Sequence, residues 1–192
     1  MKIYILRHED RYEDCSFFTP LTEEGLLKSN RLVKILETCN INLIFASPFI
    51  RTLQTIFPYV KKHKILLNID YSLSEIHHED IISKKSIGLT LPKIFLKKYN
   101  YNPNYESLIN PKEIIYPENY TNVSNRMRKF LKYIILTYFN TNYNILIVTH
   151  QSLCRSCLTL NKNSNKELIK NYSLGKVCLI FKDDKWNFEE IN

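Results

Sequence analysis

Apolar residues along this chain gather into short runs, separated by stretches in which they recur at helical spacing. Residues 2–6 (KIYIL) form the first such run and read as a short buried strand. Thr22 follows as a helix N-cap, with Leu21 before it and Leu26 four residues after it in hydrophobic-staple positions. The helix it opens should run to about Cys39 and bury Leu26, Val33 and Leu36. Residues 41–46 (INLIFA) predict a second strand, and Ser47-Pro48 an N-cap with proline at the first helical position. That helix should reach about Lys62, before a third strand over 64–69 (KILLNI).

Residues 77–119 break the rhythm. They hold Pro92, Pro103, Pro111 and Pro117, several asparagines and one short helical stretch at about 92–99. They read as an insertion over one edge of a sheet, facing the substrate as a lid or loop. The rhythm then returns. Val123, Met127, Phe130, Ile134 and Tyr138 mark one helix face, residues 143–149 (YNILIVT) a strand, and about 151–160 a further helix. KVCLIF and WNFEEI, separated by a Lys182-to-Lys185 turn, predict a terminal hairpin. Alternating strands and helices with apolar strands predict an α/β three-layer sandwich, a mostly parallel central sheet with helices on both faces. The 192 residues are expected to form a single domain carrying the 77–119 insertion.

Composition narrows the class. A 44% hydrophobic fraction with 12% aromatics fits an ordered globular chain. No apolar run reaches the roughly 20 residues of a membrane span, and no signal-peptide pattern opens the sequence, so no membrane partner and a cytoplasmic location are expected. The five cysteines are irregularly spaced and are expected to be reduced. Cys154 and Cys157 spell C-x-x-C, expected on a helix behind His150 as packing residues. The net charge of +8 favours anionic partners, but the lysines are scattered and no nucleic-acid module is present, so no nucleic acid is expected. Oligomeric state leaves no mark on the sequence.

Sites in parallel sheets collect at the carboxyl ends of the strands. Arg7, His8 and Arg11 follow the first strand, Arg51 sits in the first turn after the second, and His150 follows the 143–149 strand. Arginine forks and a helix N-terminus make a pocket for a phosphoryl group. A neutral imidazole in that pocket can attack phosphorus, and the positive surroundings stabilise the equatorial oxygens. A second histidine there would act electrostatically. Departure of an alkoxide needs a proton donor opposite the nucleophile. Glu75 is the first candidate, with Glu79, Asp80, Glu9 and Asp10 as alternatives. His77 and His78 are expected at the pocket rim or in solvent. The run from Glu75 to Asp80 lacks H-E-x-x-H spacing and any cysteine partner, so no metal site is expected there.

The segments LRHEDR, PLTEEG, IFASPFIRTLQT, LSE, PENYTNVSNRMRKFL and ILIVTHQS occur in an order that resembles the histidine phosphatase superfamily, with its phosphoglycerate-mutase-like fold. The resemblance implies that His8 is the phosphorylated nucleophile, that Arg7, Arg51 and His150 hold the phosphate, and that Glu75 donates the proton. Arg11 resembles the extra arginine of an Arg-His-Gly-Glu-Arg branch. The implied function is metal-independent phosphomonoester hydrolysis of a phosphorylated small molecule or phosphoprotein, and the resemblance implies no cofactor. A phosphoglycerate-type mutase and an inactive phosphate- or phosphoprotein-binding relative are the alternatives. The sequence also departs from the family pattern: Glu9 and Gln151 stand where glycines usually follow the histidines, Asp14 where many relatives carry an asparagine, and no Tyr-Gly or Trp-Glu-Gly follows Glu75.

Overall fold

The computed structural model describes residues 1–86, 88–160 and 172–191. The elements in chain order are β1 (Lys2–Arg7), α1 (Glu23–Thr38), β2 (Leu43–Ala46), α2 (Ile50–His63), β3 (Leu67–Ile69) and α3 (Lys93–Leu96). They continue with α4 (Tyr120–Tyr138), β4 (Asn144–Thr149), α5 (Gln151–Leu158), β5 (Val177–Lys182) and β6 (Lys185–Ile191). The six strands form one sheet in the order β3-β2-β4-β1-β5-β6. The first four strands run parallel, β5 is antiparallel to β1, and β6 to β5. This is the α/β three-layer sandwich that the sequence pattern predicts.

Alternation along each strand divides the core into two layers. Tyr4, Leu6, Ile44, Ala46, Leu146 and Val148 pack with Leu32 and Leu36 of α1 and Leu53 and Ile56 of α2. Ile3, Ile5, Phe45, Ile145 and Ile147 point the other way, onto Met127, Phe130 and Ile134 of α4 and Leu153 of α5. Among the described residues, no helix is long and apolar enough to cross a membrane.

Several expectations need correction. Leu26 is exposed and Val33 only half-buried, because α1 turns Gly25, Ser29, Leu32 and Leu36 inward. Gly25 is required there: a Cβ at that position would stand 2.1 Å from the Asp10 carbonyl oxygen. Ser47 does not cap α2, whose N-cap is Phe49 without a side-chain hydrogen bond. β3 begins only at Leu67, because Lys64 ends α2 in a left-handed conformation at φ 55°. The stretch at 92–99 is one α-turn followed by a 3-10 turn. Thr22 is the N-cap of α1, accepting from the Gly25 N–H. The terminal hairpin closes on Asp183 and Asp184, both at positive φ, as a tight two-residue turn requires.

The insertion covers the free edge of the sheet. Leu67 pairs in parallel with Tyr101, and its N–H and carbonyl bond to the Asn100 carbonyl and the Asn102 N–H. This occupies the edge of β3 that would otherwise lie unpaired. The carboxylate of Asp70, fully buried, then ties the strand end to the insertion, accepting from Leu108 N–H, Tyr105 and Ser107.

Candidate active site

The strand order places β4 between β1 and β2, so the ends of three strands meet along one edge. The His8 N–H donates to the Thr149 carbonyl, and the Ser47 N–H to the Val148 carbonyl. His8 and His150 therefore emerge side by side, with ring centroids 5.2 Å apart. The nitrogen and oxygen atoms of His8, Glu75 and His150 nearest one another all lie within 4.8 Å.

Each side chain is fixed by neighbours. His8 Nδ1 lies 2.7 Å from the Glu9 carbonyl oxygen. A carbonyl only accepts, so Nδ1 carries the proton and Nε2 keeps its lone pair. The ring is 2% exposed; burial, then the positive charge of Arg51, hold its pKa well below the ordinary histidine value. His150 is fully buried and is lowered by the same two causes. Its Nε2 lies 2.8 Å from Ser47 Oγ, and its Nδ1 lies 3.6 Å from Glu75 Oε2. That second distance is too long for a hydrogen bond, and a neutral imidazole makes no ion pair, so it is a polar contact only. Glu75 Oε1 accepts from the Ile76 N–H at 3.0 Å and from the Ser152 hydroxyl.

The arginines surround this cluster. Arg51, 1% exposed, donates through Nη1 to the Ser16 carbonyl at 2.9 Å. Its guanidinium carbon stands 4.6 Å above the Phe49 ring, which also meets His150 edge-on. Burial pushes its pKa down to about 10, which still leaves it charged at neutral pH. Arg7 donates through Nη1 to the Tyr172 carbonyl at 2.6 Å. Among the described residues, the Nε atoms of both arginines, and Nδ1 of His150, are buried without a hydrogen-bond partner. Arg11 is turned onto its own loop, with Nη1 donating to the carbonyls of Tyr12 and Glu13 and Nη2 approaching Cys15 Sγ at 2.8 Å. It still lines, with Arg7, His8, Asp10, Glu13 and Leu174, a cleft of about 310 Å³.

Of the carboxylates weighed from sequence, Glu75 is the one that reaches the histidines. Asp10 is taken by the Thr22 hydroxyl at 2.8 Å, and Glu79 and Asp80 are exposed. Glu9 is buried, its carboxylate filling the space where a Cβ on Gly175 would stand, and burial raises its pKa. His77 departs from its expected place at the rim or in solvent. It is buried, and its pKa is pushed down to about 4. Cys154 and Cys157 are buried on α5 with pKa values raised by burial, as inert packing thiols are. A divalent cation would find two imidazoles and a carboxylate at the cluster, but the arginine charge that disfavours the imidazolium also opposes a cation. An anion suits the field better.

Sequence reasoning missed Ser47, Ser152, Thr149 and the pair Glu118–Arg126. Ser47 looks like a cap because Ser-Pro is a helix-start signal. Arg126 carried a legible sign: it lies three residues after Val123 and four before Phe130, inside the apolar stripe of α4.

A family model of the histidine phosphatase superfamily (branch 1) matches residues 17–192. The chain belongs to this superfamily. The histidine phosphatase fold extends over the preceding residues too. Bacillus stearothermophilus YhfR is 22% identical with a TM-score of 0.68, covering 98% of this chain and 94% of that one. The α-ribazole phosphatase from Shigella flexneri is 18% identical, TM-score 0.64, covering 100% and 96%. A mycobacterial glucosyl-3-phosphoglycerate phosphatase in complex with inorganic phosphate is 15% identical, TM-score 0.63, covering 98% and 95%. No curated protein matches by sequence.

Proposed function

We propose that this histidine phosphatase hydrolyses phosphate monoesters through a phosphohistidine on His8. The observation that carries the reading is the bond from His8 Nδ1–H to the Glu9 carbonyl, which leaves Nε2 unprotonated beside the arginine-lined cleft. In the first step the Nε2–P bond forms as the ester P–O bond breaks, and the leaving oxygen takes the Glu75 proton. In the second, water attacks phosphorus, Glu75 takes a proton from the water, the P–N bond breaks, and phosphate leaves. The unpartnered Nε–H groups of Arg7 and Arg51 are suited to the equatorial oxygens, with His150 beside them. This supplies positive charge without a metal ion. Arg11 would act from the rim, its guanidinium already oriented by the loop carbonyls.

The substrate class is a phosphorylated small molecule or phosphoprotein, in keeping with the +8 charge and the open polar cleft. Five free thiols fit a reducing compartment, and the proposed location is the cytoplasm. The test is hydrolysis of p-nitrophenyl phosphate from pH 4 to 8 without added metal. Wild type should turn over and His8→Ala should not. Turnover that survives in His8→Ala refutes the nucleophile. A folded wild type that binds phosphate without turnover would instead be a binding module.

A further inference from the structure

The backbone that carries Glu75 leaves β3 through a 3-10 turn over Tyr71–Leu73 and then runs without regular structure. Such a segment would ordinarily be free to shift. Here four consecutive carbonyls each have a donor. Arg126 Nη1 donates to the carbonyls of Ser72 and Ser74 at 2.7 and 2.8 Å, and Nη2 reaches that of Glu75 at 3.4 Å. The fourth, Leu73, accepts from Thr149 Oγ1 at 2.8 Å, beside His150.

The other edge of the same guanidinium is held by Glu118. Nε donates to Oε1 at 3.0 Å and Nη2 to Oε2 at 2.8 Å, a two-pronged pair with both residues buried. Glu118 also grips the far side of the loop: its Oε2 accepts from the His77 N–H at 2.9 Å, and its own N–H donates to the His77 carbonyl at 2.7 Å. Ser72, Ser74, Glu75 and His77 are thus fastened by their backbone to one ion pair, with Leu73 held by Thr149. A pair buried this deeply adds little net stability, because desolvation offsets the attraction between the charges. What it does supply is geometry. Only a planar fork with several fixed donors can hold three carbonyls and a carboxylate together.

We propose that Arg126 and Glu118 are positioning residues that set the Glu75 carboxyl against the leaving-group oxygen. The proposal rests on the reading of Glu75 as proton donor. Arg126 and Glu118 line a different cavity, with Ile114, Asn122 and Lys129, and hold the Glu75 segment by its backbone, so both act through the loop. General acid catalysis contributes about 10²–10⁴-fold, and a displacement of about 1 Å can cost about 10²-fold.

The experiment compares two substrates that differ in their need for a proton. p-Nitrophenolate leaves as a stable anion, whereas an alkyl phosphate must protonate its alkoxide. In Arg126→Lys, which keeps the charge and loses the fork, kcat/KM for ethyl phosphate should fall about 10²-fold. For p-nitrophenyl phosphate it should stay within about 3-fold, since that step draws little on the acid. Glu118→Gln, equal in shape to its parent, should show the same selectivity and carries the test if Arg126→Lys does not fold. In a Glu75→Gln background neither substitution should add a further selective loss. Equal losses on both substrates in a variant that melts cooperatively would overturn the proposal, as would a selective loss that persists without Glu75. Glu75→Gln alone separates the premises: if it spares ethyl phosphate, the proton-donor reading fails and the proposal falls with it. His8→Ala reports on the nucleophile independently.

Discussion

Asp70 gives the sharpest test of how the site loop is built. Its carboxylate is fully buried and serves five donors. Oδ1 accepts from the Ser72 N–H at 2.8 Å and from the hydroxyls of Ser72 and Ser107; Oδ2 accepts from the Leu108 N–H at 2.9 Å and from Tyr105. Asp70→Asn keeps the shape but turns one oxygen into an N–H donor. The three hydroxyls can rotate and accept from it; the two backbone N–H groups cannot. Either orientation of the amide therefore strands one of them, Ser72 or Leu108. Leaving one buried donor unmet costs about 1–3 kcal/mol. The expected loss is about 2 kcal/mol, a fall in Tm of about 5 °C for a chain of this size. Asp70→Ala removes every acceptor and should cost about 4 kcal/mol. The assay is urea denaturation followed by far-UV circular dichroism at pH 7. An Asn variant within about 0.5 kcal/mol of wild type would refute the reasoning, because the carboxylate would then not be the acceptor that joins β3 to the insertion.

Acid should weaken the fold earlier than carboxylate protonation would. His8, His77 and His150 are buried with pKa values below the unfolded value of about 6.5, that of His77 at about 4. Above about pH 6.5 both states are neutral there; as pH falls, the unfolded chain takes up protons that the folded chain refuses, so stability drops. The His77 contribution alone is on the order of 3 kcal/mol by pH 4. Glu9, raised by burial, works in the opposite direction and offsets part of it. A urea midpoint that stays level from pH 7 to 5 would contradict this. Gly175→Ala should destabilise twice over, through its φ of +65° and through a Cβ only 2.0 Å from Glu9 Oε1. The left-handed backbone accounts for about 1–2 kcal/mol. In a Glu9→Ala background only that part should remain, so a double-mutant cycle in chemical denaturation with no coupling would exclude the contact.

The histidine and arginine cluster of the candidate site was legible in the sequence because its residues sit at strand ends, which local patterns mark. Arg7-His8, Arg51 and His150 each stand at or just after the end of a run whose apolar period is read directly, and parallel order brings strand ends to one edge. Alternation, caps and helical spacing are properties of neighbouring residues, so the α/β sandwich and most of its elements followed from them. Other features could not be read this way. The approach of Glu75 to His150, the inward turn of His77, and the seating of Glu9 against Gly175 depend on which surfaces meet after folding. So does the grip of Arg126 on the Ser72 carbonyl, between residues 54 apart in the chain. A local period reports which face of an element is apolar, and is silent on what a buried charge will meet. Sequence by itself determined the layers and the histidine edge; the partners that hold them in register were decided only by tertiary packing, where buried backbone and side-chain groups meet donors and acceptors far away in the chain.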